Sequence, residues 1–194
     1  PGTSGVRWVI DPLDGTVNYL YRRPDWAVAI GVEVEGRPVA GVVFAPERDE
    51  LYAAALGAGA TRNGVPIHPT EESRLDLALC GTGFAYDAET RQVQGAILGR
   101  VIHHVRDIRR AGSAALDLCA VACGRLDVYY ERGLHAWDGC AASVVVSEAG
   151  ARVETLEEHL PLDDRTWVAG NPLLFAEFRA LVGQASGLEE APRC

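Results

Sequence analysis

The sequence predicts an α/β fold, a layered α+β sandwich in which an antiparallel meander sheet is followed by an alternating α/β part. In the first third of the chain, apolar, β-branched runs are joined by short turns, as is typical of antiparallel hairpins. From residue 77 onward, strand-like runs alternate with segments of helical pattern, which indicates an α/β layer. At 194 residues and 48% hydrophobic composition, the chain is large enough for a sizeable core.

The two patterns meet in a polar, proline-containing stretch at 66–76, where we place a subdomain boundary. We expect residues 1–70 to form the C-terminal part of a first α+β subdomain, with the antiparallel strands. Residues 71–184 would form an α/β subdomain, and residues 185–194 a loose tail.

Turn signals separate the strands expected in the first part. Glu35-Gly36-Arg37 predicts a hairpin turn, and Asn63-Gly64 predicts a second tight turn. The strands expected here are 6–10, 26–34, 38–44 and 51–56.

Glycine and proline mark helix ends in the second part. Gly124 and Gly150 directly follow two predicted helices, where glycine commonly ends a helix. Pro172 would stand in the first turn of the last helix, a position that tolerates proline well. The expected strands are 77–81, 105–108, 126–130 and 167–169, and the expected helices are 88–101, 113–123, 137–149 and 172–182.

Composition excludes some classes of protein. A net charge of −9 and a pI near 5.0 argue against binding to nucleic acid or a membrane surface, which usually needs a basic patch. The sequence shows neither an apolar run of membrane-spanning length nor a signal-peptide pattern, so we expect a cytoplasmic protein. Its cysteines are expected to be buried free thiols, with a metal or redox pair at 119 and 123 as the alternative: Cys80, Cys119, Cys123, Cys140 and Cys194.

Two carboxylates stand three residues apart where the first predicted strand ends. Asp11 and Asp14 are hard oxygen ligands, and Gly15 and Thr16 offer backbone N–H groups beside them. Together these residues would bind a divalent cation and the phosphate that it polarises. The alternative is an ordinary Asp-Gly turn bent by Pro12, which leaves the second aspartate unexplained.

Further polar signals follow in the second part. Asp138 opens the helix predicted over 137–149 and is either its N-cap or a metal ligand, two roles that compete for the same lone pairs. Glu131 directly follows a predicted strand, and taken alone it is expected to be an exposed loop carboxylate. The small residues from Gly112 to Ala115 begin another helix and leave room for a polar ligand to approach.

In this order, the motifs resemble those of the inositol monophosphatase family, which belongs to the magnesium-dependent, lithium-sensitive phosphatase superfamily. The resemblance rests on DPLDGT at 11–16, GSAA at 112–115 and WDGCAA at 137–142, ending in EAG at 148–150. It extends from Trp8 to about Val182. The Asn18-Tyr19 pair favours inositol phosphatases over relatives that act on nucleotide or histidinol phosphates.

The resemblance implies a Mg²⁺ site. Its ligands would be the carboxylates of Asp11, Asp14 and Asp138 together with the Leu13 carbonyl. Mg²⁺ suits a site made only of oxygen donors, whereas Zn²⁺ would require His or Cys at ligand spacing. The histidines are instead expected at the surface or in hinges: His103, His104 and His135.

The resemblance also implies a substrate site. Gly15 and Thr16 would bind phosphate through their N–H groups, and the Thr16 hydroxyl would orient the attacking water. Glu131 would bind sugar hydroxyls in a pocket lined by Gly112, Ser113 and Ala114. We therefore expect a phosphomonoesterase acting on inositol 1-phosphate or a similar small sugar-alcohol phosphate, with the catalytic residues Asp11, Asp14, Thr16 and Asp138.

Two alternatives stay open. The enzymatic one is a related phosphatase for 3′-phosphoadenosine 5′-phosphate, histidinol phosphate or fructose bisphosphate. The other is a non-catalytic remnant, because relatives carry an acidic Gly-Glu-Glu segment ahead of the first motif. This sequence starts at Pro1 without that segment and contains no Met, so we expect an N-terminally truncated chain of weak or no activity. Analogy with the family further predicts a homodimer.

Overall fold

Two β-sheets, with helices between them and on one outer side, make up residues 2–187, the part of the chain described by the computed structural model. This arrangement confirms the predicted fold class. The α-helices are α1 (Thr16–Leu20), α2 (Ala88–Val101), α3 (Ala114–Ala122), α4 (Ala136–Glu148) and α5 (Phe175–Ala185).

The first sheet is a meander in which each strand pairs antiparallel with the next one along the chain. Its first strand runs through the acidic motif to Asp14, beyond the predicted end at Ile10. The strands are β1 (Val6–Asp14), β2 (Ala27–Val34), β3 (Arg37–Ala45), β4 (Glu50–Ala55), β5 (Gly59–Arg62) and β6 (Val65–Pro66).

The second sheet is mixed. Its third strand in chain order, β9, pairs parallel with β7 on one side and antiparallel with β11 on the other. The strand order is β10-β11-β9-β7-β8. The ranges are β7 (Leu79–Thr82), β8 (Asp107–Arg109), β9 (Val128–Arg132), β10 (Arg152–Thr155) and β11 (Thr166–Gly170).

Helix α4 packs directly on the first sheet, and two glycines make this close approach possible. An ideal Cβ on Gly41 would lie 2.7 Å from the Cα of Ala141, and one on Gly31 would lie 2.5 Å from the Sγ of Cys140. Because strands β2 and β3 carry no side chain at these points, the helix lies against their backbone. This packing brings the N-terminus of α4 to the end of β1.

The main core lies between the two sheets and includes α3 and α4. A second apolar cluster lies under α2 and α5, on the far side of the second sheet. The outer face of the first sheet is open, with Trp8 and Ile10 being 65% and 52% exposed. Val9 and Asp11 alternate with them and point inward, so β1 has one buried face. None of the helices among residues 2–187 is long and apolar enough to cross a membrane.

Several elements differ from the prediction. α1 and β10 were not predicted, because neither is long enough to show a periodic pattern. The last helix begins at Phe175 and not at Pro172, because the Asn171 side chain accepts the N–H groups of Leu173 and Leu174 and forms a turn first. This helix continues through Ala185, the first residue of the expected tail, and residues 188–194 of that tail lie outside the described residues.

The cysteines within the described residues are free thiols, as expected. Cys80, Cys119 and Cys140 are buried and Cys123 is partly exposed, whereas Cys194 lies outside the described residues.

Candidate metal and phosphate site

Three aspartates meet at the end of β1, where one carboxylate oxygen from each of Asp11, Asp14 and Asp138 lies within 4.8 Å of the others. Asp11 and Asp14 are buried, and Asp138 is partly buried. Residues three apart on a regular strand point to opposite faces. The pairing of β1 with β2 shifts between Asp11 and Asp14, whose partners Ala29 and Ala27 are only two residues apart. The extra residue, a bulge, turns both carboxylates to the inner face.

Each carboxylate is held by donors of the chain. The Leu13 N–H donates to Asp11 Oδ1 at 2.9 Å. The Ser113 hydroxyl and the Ala115 N–H donate to Asp14 Oδ2 at 2.5 and 2.9 Å. Each of these carboxylates has two oxygens with two lone pairs each, so lone pairs remain for a cation.

Asp138 stands in the first turn of α4, and the N-cap of that helix is His135. The His135 N–H donates to Asp138 Oδ2 at 2.7 Å. The N-cap alternative for Asp138 is therefore wrong, because the helix begins at Ala136. The carboxylate still accepts one hydrogen bond from the helix terminus and directs its remaining lone pairs to the site.

The three negative charges of the cluster repel one another. Burial raises the pKa of Asp14 to about 6. The hydrogen bonds from Ser113 and Ala115 lower this pKa in part, and the negative charge of the neighbouring Asp11 raises it further. Burial also raises the pKa of Asp138 to about 7, and the nearby Asp14 and Asp11 add to it. Because the three carboxylates lie close together and are shielded from water, a cation that neutralises their charge would stabilise the site.

The turn after Asp14 is closely packed. Gly15 has φ +80°, and an ideal Cβ there would lie 2.7 Å from the Asp25 carbonyl oxygen, so only glycine fits. The next residue, Thr16, donates its hydroxyl to the Leu13 carbonyl at 3.0 Å.

A pocket of about 840 Å³ opens above the three aspartates. Ser113, expected on its wall, instead lies fully buried behind Asp14 and holds that carboxylate. The other residues predicted for the site do line the pocket: Asp11, Leu13, Asp14, Gly15, Thr16, Gly112, Ala114, Glu131 and Asp138.

Glu131 lies in this pocket at the end of β9. The buried Tyr129 hydroxyl donates to its Oε2 at 2.6 Å. A Cβ on Gly83 would overlap the Glu131 carboxylate, so that glycine leaves the space the carboxylate occupies. Burial raises the pKa of Glu131 to about 7, and the hydrogen bond from Tyr129 and the positive charge of Arg110 lower this pKa only in part.

Several residues of the pocket region were not predicted for the site, among them Tyr129, His135, Gly83 and Arg110. Tyr129 could have been found, because residues two apart on a strand share a face and it stands two before Glu131. His135 was expected at the surface or in a hinge, but it lines the pocket with its Nδ1 3.0 Å from Asp163 Oδ2. Gly83 and Arg110 line the pocket too, and only tertiary packing brings them there.

Comparison with known proteins agrees with this geometry. The model of the inositol monophosphatase family matches residues 1–187. The curated inositol-1-monophosphatase SuhB of Mycobacterium tuberculosis is 44% identical over 191 residues, which cover 96% of this chain and 66% of that protein. The Nus factor SuhB of Escherichia coli is 42% identical over 171 residues, covering 86% of this chain and 63% of that protein. The chain thus spans just under two thirds of the length of these relatives.

Solved structures give the same result. An inositol monophosphatase from Anabaena (Nostoc) sp. PCC 7120 superposes with a TM-score of 0.88 at 40% identity, over 94% of this chain and 74% of that one. Mycobacterium tuberculosis SuhB superposes with a TM-score of 0.87 at 43% identity, over 95% of this chain and 74% of that one.

Proposed function

The chain belongs to the inositol monophosphatase family, and from that premise we propose a Mg²⁺-dependent phosphomonoesterase that acts on inositol 1-phosphate or a similar small sugar-alcohol phosphate. One observation carries the proposal: the convergence of Asp11, Asp14 and Asp138 at the floor of a pocket that also contains Glu131. The name of the mycobacterial relative, an inositol-1-monophosphatase, supports the choice of substrate.

The donor set fits a hard divalent cation. It consists of carboxylate oxygens from Asp11, Asp14 and Asp138, to which the Leu13 carbonyl adds a further oxygen donor at the pocket wall. Oxygen-only sites of this kind suit Mg²⁺. When bound, the cation supplies charge neutralisation for the phosphate, a lowered pKa for an attacking water and stabilisation of the leaving oxygen.

The chain itself positions the reactants. We assign the phosphate to Gly15 and Thr16, beside the three aspartates. The Thr16 hydroxyl donates a hydrogen bond to the Leu13 carbonyl, so its oxygen is left to accept a hydrogen bond from the attacking water and orient it. Glu131 keeps its Oε1 free of described partners and would accept hydrogen bonds from substrate hydroxyls.

The pocket wall favours substrates with a single phosphate. Four more carboxylates line its outer part: Asp87, Glu89, Asp163 and Asp164. They would repel a second phosphate on the alcohol half of the substrate, which disfavours 3′-phosphoadenosine 5′-phosphate and fructose bisphosphate. The hydroxyl groups of a neutral polyol would instead donate hydrogen bonds to the same carboxylates.

A substrate panel tests the proposal. Phosphate release would be measured at about pH 8 from inositol 1-phosphate, 3′-phosphoadenosine 5′-phosphate, histidinol phosphate and fructose bisphosphate, with Mg²⁺ or with EDTA. We expect release from inositol 1-phosphate that needs Mg²⁺ and is lost in Asp138→Asn. Asp76→Asn is the matched control, since Asp76 is exposed and paired with Arg74 outside the pocket.

The same panel separates the alternatives. Preference for another phosphate ester would move the assignment to a related phosphatase. Release from none of them, with Mg²⁺ bound, would favour a non-catalytic role, and one relative is indeed named as a Nus factor and not as a phosphatase.

Two expectations about the whole protein also stay proposals. A cytoplasmic location is consistent with the free thiols of Cys80, Cys119 and Cys140. A homodimer would have apolar surface available beside the site, where Leu20 and Tyr21 are 70% and 77% exposed. Sedimentation of the wild type and of Leu20→Asp tests this contact, and a monomeric wild type would contradict it.

A further inference from the structure

A buried glutamine ties one wall of the pocket to the strand that carries Glu131. Gln94 stands in the second turn of α2 and is only 3% exposed. Its Oε1 accepts the Ala85 N–H at 2.9 Å, and its Nε2 donates to the Arg132 carbonyl at 2.8 Å. A primary amide offers an acceptor and a donor in one plane, so both ends of this side chain are used. The amide thus bridges two backbone segments that are distant in sequence.

Both segments that Gln94 bridges belong to the pocket. Residues 83–87 join β7 to α2, and all of them line the pocket. Arg132 lines it as well, directly after Glu131. An ideal Cβ on Gly83 would overlap the Glu131 carboxylate, so the segment lies against the group assigned to the substrate hydroxyls. Gln94 therefore holds this segment at the end of β9, beside Glu131.

Helix α2 is anchored by other contacts. Ile97 and Val101 are buried in the second apolar cluster, which the helix shares with α5. At the other end, the Asp87 side chain caps the helix by accepting the Thr90 N–H at 2.8 Å. Because these contacts hold the helix at both ends, the Gln94 amide serves the pocket wall and not the helix.

We propose that Gln94 is a positioning residue that sets the specificity of the pocket for the hydroxyl-bearing half of the substrate, an inference that rests on the proposed function. Without the amide, the Ala85 N–H and the Arg132 carbonyl would lose their partner, and leaving buried polar groups unpaired is costly. The 83–87 segment would move until water reaches these groups. Glu131 would then lose the surface that is packed against it and with it a fixed position.

The effect is confined to the alcohol half of the substrate. The three aspartates and the Gly15–Thr16 turn belong to β1, the turn after it and α4, and Gln94 bridges none of these elements. A loosened wall therefore raises KM for a substrate that is recognised through its hydroxyls. It has little effect on kcat, or on an ester that lacks such hydroxyls.

The kinetic test compares Gln94→Met with Gln92→Met as the matched control. Methionine is unbranched like glutamine but has no amide donor or acceptor, and Gln92 is exposed on the same helix outside the pocket. KM and kcat are measured with Mg²⁺ for inositol 1-phosphate and for an aryl phosphate without hydroxyls. We expect Gln94→Met to raise KM for inositol 1-phosphate by about tenfold, as for the loss of one to two hydrogen bonds. The aryl phosphate should show no change, and Gln92→Met should behave like the wild type with both esters.

Hydrogen exchange measures the tie itself. The Ala85 amide should exchange slowly in the wild type and in Gln92→Met, and faster in Gln94→Met. Thermal melting confirms that the variants are folded. Gln94→Asn is one methylene shorter and cannot reach both partners, so it should change exchange and KM in the same direction if the methionine variant does not fold.

The outcomes distinguish this inference from the proposed function. A wild type that hydrolyses neither ester would refute the proposed function and this inference with it. With an active wild type, this inference alone would be overturned by an unchanged KM in Gln94→Met, by an equal rise for both esters or by unchanged exchange of the Ala85 amide. Unfolding of both Gln94 variants would also overturn it, because Gln94 would then support the fold as a whole.

Discussion

Replacing Asp138 by Asn is expected to stabilise the metal-free protein at about pH 8, although it removes a residue of the site. Burial, with the nearby Asp14 and Asp11, raises the pKa of Asp138 from 3.8 to about 7. At about 1.4 kcal/mol for each pH unit, keeping this group ionised costs at most about 4 kcal/mol of folding free energy. Because Asp138 is only partly buried, water screens this cost, and we expect a gain of about 1–2 kcal/mol.

The substitution preserves the local structure. An asparagine oxygen can still accept the His135 N–H that donates to Asp138 Oδ2 at 2.7 Å. The helix terminus therefore keeps its hydrogen bond, and the change removes mainly the charge.

The pH dependence has a definite sign. A carboxyl whose pKa is raised by folding binds its proton more tightly in the folded state, so the destabilisation is complete above the folded pKa of about 7. It declines as the pH falls through the window from about 7 to 4 and is absent below the unfolded pKa of 3.8. The advantage of Asp138→Asn should therefore shrink to less than half between about pH 8 and about pH 5.

Urea unfolding in EDTA at the two pH values measures this effect. Mg²⁺ at about 100 times its Kd should then stabilise the wild type at about pH 8 by about 2.7 kcal/mol, and the variant by much less. A variant that is less stable than the wild type at about pH 8 in EDTA, or a difference independent of pH, would refute the reasoning.

Three further substitutions test the packing around the site. Gly41→Ala places a methyl group 2.7 Å from the Cα of Ala141, so urea unfolding should show a loss of about 1–3 kcal/mol; an unchanged midpoint would contradict this contact. Tyr129→Phe removes the hydrogen bond to Glu131 and should raise KM for inositol 1-phosphate but not for an aryl phosphate without hydroxyls. Gly83→Ala should do the same more strongly, because its methyl group overlaps the Glu131 carboxylate; an equal change for both esters would contradict either prediction.

Much of the fold could be predicted from local pattern. Helix α2 was predicted over the residues it occupies from its helical pattern alone, and the structure adds that the Asp87 side chain caps it by accepting the Thr90 N–H. The meander followed from hairpin turns between apolar strands. The late start of α5 was not predictable in this way, because it depends on the hydrogen bonds that the Asn171 side chain accepts.

The candidate site depended more on tertiary structure. The order of the motifs identified Asp11, Asp14 and Asp138, but nothing local shows that a bulge turns the first two to one face. The approach of Asp138 requires α4 to lie on Gly31 and Gly41, which are distant in sequence. Arg109 and Arg110 are the same residue type side by side, and only the fold directs one of them into the pocket.

The most direct test of this account is a calorimetric titration of Mg²⁺ into the wild type and Asp138→Asn at about pH 8. If Asp11, Asp14 and Asp138 form the cation site, the wild type binds Mg²⁺ and the variant binds it at least about tenfold more weakly. Protonation of Asp14 and Asp138, with pKa values of about 6 and about 7, should weaken binding to the wild type as the pH falls below those values. Equal Mg²⁺ affinity in the two proteins, or no binding to the wild type, would contradict the account.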